Sequence, residues 1–113
     1  MPRRPVNQYK AYHAHVYFGP GTVEQARALC EEAAQRFGVA MGRVHEKNVG
    51  PHPQWSYQLA FSAKDFDPLV AWLDAHRDGL DILVHALTGD DIADHTQHAY
   101  WLGDEHVLDL SAL

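Results

Sequence analysis

The chain contains one cysteine, Cys30, so an intrachain disulfide is excluded, as is a zinc site built on paired cysteines. Basic residues are also scarce: nine Lys and Arg stand against fifteen Asp and Glu, a formal charge of -6. Arg3, Arg4 and Lys10 near the start are too few to make a basic patch, and the acidic balance argues against nucleic acid or an anionic membrane as partner. No apolar run approaches the roughly 20 residues of a membrane-spanning helix. The opening Met1-Pro2-Arg3-Arg4-Pro5 leads into polar residues, with no signal-peptide core, so a reducing, cytoplasmic setting is expected. Serine is sparse and none stands in a nucleophile elbow; a glycine-rich phosphate loop and a His-Glu-x-x-His helix are missing too. Nucleophilic hydrolysis is not expected.

What is present suits one domain spanning residues 1–113. Apolar residues make up 46% and charged residues 21%, enough to bury a core without a disulfide or a structural metal. Tyr9 to Phe18 is aromatic and β-branched and ends at Gly19-Pro20-Gly21, which reads as a strand. Thr22 with Gln25 three residues on forms a capping-box pattern, and Val23, Ala26, Leu29, Cys30, Ala33, Ala34 and Phe37 recur at helical spacing before Gly38. Cys30 on that stripe reads as a small core residue.

A second strand is predicted over Val39 to Lys47, with Gly42 at a bulge, and a rigid turn over Asn48 to Pro53. Gln54 to Ser62 alternates, with Trp55, Tyr57, Leu59 and Phe61 on one face. Asp67-Pro68 reads as the start of a second helix that runs to Gly79. Leu80 to Ala86 is a short apolar strand, and a terminal hairpin is expected from Tyr100 to Leu110 around Gly103-Asp104. The order β-α-β-β-α-β predicts an α+β, ferredoxin-like antiparallel sheet with both helices on one face and a C-terminal hairpin extension. Fold alone does not give function.

Nine histidines are the unusual feature. In Tyr12-His13-Ala14-His15-Val16-Tyr17-Phe18, strand alternation puts His13, His15 and Tyr17 on one face, about 6.5 Å from one to the next. The other residues would face the helices. Paired imidazoles at the centre of a sheet need partners, and imidazole is the commonest metal ligand; a hydrogen-bonded pair is the bland alternative. His85 closes the strand expected to run beside the first, and His52 sits between two prolines just before the strand on its other side. His95 follows the last core strand and can fold over the same face. His45, His76, His98 and His106 read as ordinary surface or helix-end residues, and Trp55, Trp72 and Trp101 as core or interface.

These motifs together resemble the DOPA 4,5-dioxygenase family. The stretches that carry the resemblance are Tyr12 to Phe18, Gly50-Pro51-His52-Pro53, Leu83-Val84-His85, Leu87-Thr88-Gly89-Asp90-Asp91 with Asp94-His95-Thr96, and Trp101-Leu102-Gly103. They run in order from about Tyr12 to Leu110. Ala86 stands where a proline often follows the histidine of the third motif. The resemblance implies a homodimer that opens the ring of DOPA or a related catecholic acid by extradiol cleavage with O2. It implies a non-haem metal, Fe(II) first, with zinc or another divalent ion as the alternative occupant.

Extradiol cleavage needs a metal with open positions, commonly held by two His and a carboxylate. Here histidines outnumber well-placed carboxylates, so His15, His52 and His85 are the expected ligands, with Glu46, Asp91 and Asp94 as the carboxylate alternatives. His13 and His95 are the expected acid–base groups and Tyr17 a hydrogen-bond donor. Two rival readings stand beside this one. One is a dimeric, non-catalytic module that binds a metal or a small aromatic acid; the other is a zinc enzyme that consumes no oxygen.

Overall fold

One strand, β1 (Ala11–Phe18), organises the molecule by sending alternate residues to two different environments. The computed structural model describes residues 7–45, 55–108 and 110–112. In chain order, β1 is followed by α1 (Val23–Phe37), β2 (Ala40–His45), β3 (Trp55–Ser62), α2 (Ala63–His76), β4 (Ile82–Ala86), α3 (Asp91–Asp94) and β5 (Ala99–Leu102), with a 3-10 turn at Leu110–Ala112. The strands form one antiparallel sheet in the order β2-β3-β1-β4-β5. The first four give the expected ferredoxin-like arrangement, and β5 extends it at the β4 edge.

Tyr12, Ala14, Val16 and Phe18 of β1 pack into the main core with Ala26, Leu29, Cys30 and Ala33 of α1 and Phe66, Leu69 and Leu73 of α2. Leu69 and Leu73 are fully buried, each contributing about 1.5–3 kcal/mol. Cys30 is buried there as expected, and burial pushes its thiol up to about 12, with Glu31 adding to the effect.

Local differences from the sequence reading have physical causes. Thr22 precedes α1 but its side chain makes no helix cap; its hydroxyl accepts the Gly19 N–H at 2.9 Å and closes the preceding turn. Gln25 does not complete a capping box, because its amide donates to the Asp78 carbonyl at 2.9 Å. Gly38 ends α1 at φ 65, where glycine carries no steric penalty.

The register of β2 against β3 slips between Met41 and Val44, which is the bulge expected at Gly42. Helix α2 begins at Ala63, four residues before the expected Asp67-Pro68 start, and Pro68 lies inside it. Two interactions override the local signal. The Ala63 N–H donates to the Lys10 carbonyl at 2.9 Å, and Phe66 packs 4.5 Å from Tyr12, ring centre to ring centre.

The C-terminal extension supplies one strand. β5 pairs with β4, from Ile82↔Leu102 to His85↔Ala99, and after Gly103 residues 104–108 form no returning strand. The segment between β4 and β5 includes a short helix that periodicity did not reveal, α3, capped where the Asp90 carboxylate accepts the Ala93 N–H.

Candidate metal centre

The alternation that sends four residues of β1 into the core sends His13, His15 and Tyr17 to the face without α1 and α2. The antiparallel register sets His85 of β4 directly opposite His13, and Leu83 opposite His15. His85 and Leu83 therefore share the face away from α1 and α2, while Ile82, Val84 and Ala86 join the core.

Ring centres of His13 lie 5.7 Å from His15 and 5.5 Å from His85. His15 and His85 are nearly parallel, 5.0 Å between centres, with their Nε2 atoms 3.0 Å apart. One ring nitrogen from each of His13, His15 and His85 lies within 4.8 Å of the other two. His15 and His85 are buried, at 6% and 3% exposure, and His13 is half-buried.

The hydrogen bonds fix where the His85 ring proton sits. His85 Nδ1 lies 2.9 Å from the Ala86 carbonyl, an acceptor only, so the proton sits on Nδ1 and the neutral ring keeps a lone pair on Nε2. Its Nε2 thus faces His15 Nε2 as an acceptor. At 3.0 Å the two either share one N–H or flank a cation. With metal–nitrogen bonds of about 2.1 Å, neighbouring positions of an octahedron are about 3.0 Å apart, so the spacing suits a metal. Burial lowers the pKa of His13, and His95 nearby lowers it further, so both effects favour the neutral form that ligates. The Gln58 amide nitrogen lies 3.5 Å from His13 Nε2.

His95, just after α3, folds over the same face with its ring centre 4.2 Å from His85. Its Nδ1 donates to the Asp91 carbonyl at 2.7 Å, which directs Nε2 elsewhere. Tyr17 is buried one step along β1, in a second apolar cluster with Leu83, Ala99 and Trp101. Burial holds its hydroxyl far above the usual range, hence protonated.

The structure therefore brings together His13, His15, His85 and His95, with Tyr17 next to them. His52 and Glu46 lie outside the described residues. Of the carboxylate alternatives, Asp94 is buried but closes the α3 loop, accepting the Thr88 N–H at 2.9 Å and the Thr88 hydroxyl at 2.7 Å. The Asp91 side chain is exposed, and neither carboxylate belongs to the group of close ring nitrogens.

His106 departs from its reading as a surface residue. It stacks on Trp101 with ring centres 5.6 Å apart, lies 5.0 Å from Tyr17, and donates from Nε2 to Asp81 Oδ2 at 2.8 Å. No local spacing signals this, since Asp81 and His106 are 25 residues apart. A cavity of about 630 Å³ extends from His95 along Trp101 to Glu105 and His106, with Leu108 and Leu110 as apolar lining. That volume suits a small aromatic ligand.

Among the described residues no helix is long and apolar enough to cross a membrane. The family model for the Dopa 4,5-dioxygenase family matches residues 12–112. The chain is 30% identical to a DOPA 4,5-dioxygenase of Amanita muscaria, covering 95% of this chain and 51% of that protein. It is 34% identical to an uncharacterized 21.2 kDa protein of Botryotinia fuckeliana, covering 89% and 62%. The chain thus spans about half the length of the first relative and less than two thirds of the second. A crystal structure of a candidate dioxygenase from Nostoc punctiforme superposes with a TM-score of 0.89 at 42% identity, covering 92% of this chain and 90% of that one.

Proposed function

The chain belongs to the DOPA 4,5-dioxygenase family, and on that premise we propose that it is a metal-dependent extradiol dioxygenase acting on a catechol, DOPA or a related catecholic acid. The observation that carries this reading is the trio His13, His15 and His85, nitrogens within 4.8 Å of one another, beside a cavity with an aromatic wall. In this proposal His15 and His85 hold the ion, Fe(II) in the active protein and zinc as an inert substitute. His13 is the third nitrogen within reach and takes the remaining described ligand position. The sequence reading gave that position to His52 and gave proton transfer to His13 and His95 together, which here falls to His95 alone.

Fe(II) bound there would supply the Lewis acidity and redox chemistry that let a catecholate react with O2. The chain's own residues do the rest. His95 Nε2 faces away from its bond to Asp91 and is the group proposed to accept a catechol proton. Tyr17, kept protonated by burial, is the proposed hydrogen-bond donor on the same face. Trp101 and Leu108 limit water along the wall of the cavity.

We place two further features in the proposal. One is assembly as a homodimer, which the family resemblance implies, and the other is a cytoplasmic setting, which the lone, buried thiol fits.

The test is oxygen uptake by protein loaded anaerobically with Fe(II) and mixed with L-DOPA and simpler catechols. One O2 consumed per catechol, with a yellow ring-opened product, is the expected result. Bound iron with no uptake across the panel would overturn the dioxygenase reading in favour of a binding module.

A further inference from the structure

The cavity beside His95 is unusual in what its far end offers. Among the described residues that line it, Glu105 is the only one with a carboxylate side chain, and none is a lysine or arginine. His106 is fixed in orientation by Asp81, and because a carboxylate only accepts, the imidazole proton must sit on Nε2. The neutral ring then presents Nδ1 as an acceptor, and among the described residues Nδ1 has no hydrogen-bond partner. Asp81 is held in turn, its Oδ1 accepting the Asp104 N–H at 2.9 Å.

Arg77, which approaches Gly103 alongside Asp81, is committed to other partners. Its Nε donates to Asp74 at 3.1 Å and its Nη1 to the Leu80 carbonyl at 3.2 Å. Trp101 adds aromatic surface, which attracts cations. A carboxylate, an imidazole acceptor and an indole, with no cation among the described lining residues, make an environment for a protonated amine. Among the described lining residues a ligand carboxylate would meet Glu105 and no positive side chain.

We propose that this cavity selects aromatic ligands whose side chain carries a protonated amine, with Glu105 pairing with the ammonium group and His106 Nδ1 accepting a hydrogen bond from it. The inference deepens the dioxygenase reading and rests on it only for the identity of the ring that meets His95. Glu105 and His106 are then specificity residues that read the side chain, whether or not the side chain also bears a carboxylate.

Calorimetric titration of the metal-free protein at neutral pH separates the two ideas, because the probes carry no catechol. Phenethylamine, 2-phenylethanol and 3-phenylpropanoate supply the cationic, neutral and anionic side chains. Phenethylamine is expected to bind about tenfold more tightly than the alcohol, with the carboxylate weakest. Glu105→Gln, at an exposed position, should reduce the amine preference to about twofold or less. His106→Gln keeps an N–H for Asp81 and should weaken the preference by a smaller factor. The proposal is overturned if the carboxylate binds as well as the amine, if Glu105→Gln leaves the preference intact, or if no probe binds at millimolar concentration. A preserved amine preference in a protein that consumes no oxygen would sink the dioxygenase reading and leave this one standing.

Discussion

His15 and His85 meet with their Nε2 atoms 3.0 Å apart although 70 residues separate them in sequence. The contact exists because β1 and β4 are antiparallel neighbours in one fixed register, so that both rings rise from the same sheet face. A slip of one residue would turn either ring into the core. The rigid sheet thus sets the spacing of the pair before any ligand arrives, which is what a preorganised metal site requires.

Replacing His15 or His85 by alanine should abolish iron retention while leaving the fold intact. Both rings lie on the face away from the main core, so the loss removes donor atoms without opening a hole beneath the helices. Metal content measured after anaerobic loading and desalting should fall from about one ion per chain to about a tenth or less. Stoichiometric iron in both variants, with unchanged circular dichroism, would refute the ligand assignment.

A bound ion should also stabilise the folded chain, since the unfolded chain holds no such cluster. At a free ion concentration a hundredfold above Kd, the gain is about 2.7 kcal/mol. Zinc serves as a probe that needs no anaerobic handling. Thermal unfolding with and without zinc should show a rise in Tm of several degrees for the native sequence and little or none for His15→Ala. Equal shifts in both would mean that zinc binds elsewhere.

Much of this site was legible in the chain because strand alternation is a local property. The sequence Tyr12 to Phe18 assigns His13, His15 and Tyr17 to one face before the fold is known. Placing His85 beside them needed only the topology. The start of α2 was not legible: Asp67-Pro68 carries a strong local signal, and the burial of Phe66 with the Ala63–Lys10 hydrogen bond outweighs it. His106 was not legible either, because its role comes from Asp81 and Trp101, which only the paired β4 and β5 bring to it.

The metal-free protein should lose stability as pH falls through the histidine range, and His13 should be one source. Burial, with His95 as the smaller cause, lowers the folded-state pKa of His13 below its ordinary 6.5. Between those two values the unfolded chain binds a proton that the folded chain does not, so unfolding is favoured as pH drops. The contribution is present in full above 6.5 and is lost as pH falls toward the folded-state value. Urea unfolding of the metal-free native protein and of His13→Gln, each from pH 7.5 to pH 5, provides the check. The variant should show the shallower decline, and parallel declines would remove His13 from the account.

Gly103 supplies a prediction about the cavity that involves no metal. It turns the chain out of β5 at φ 90, a conformation that costs any other residue about 1–2 kcal/mol. A Cβ added there would also run into Asp81 Oδ1 and Arg77 Nη1. Asp81 is the residue that fixes His106, so strain at Gly103 is transmitted to the cavity wall. Gly103→Ala should therefore destabilise the protein by roughly 2–4 kcal/mol. The ring resonances of His106 should shift while those of His76, on the far side of the sheet and stacked on Trp72, stay in place. A variant as stable as the parent, with His106 undisturbed, would mean that the turn can be rebuilt without Asp81 and that the orientation of His106 does not depend on it.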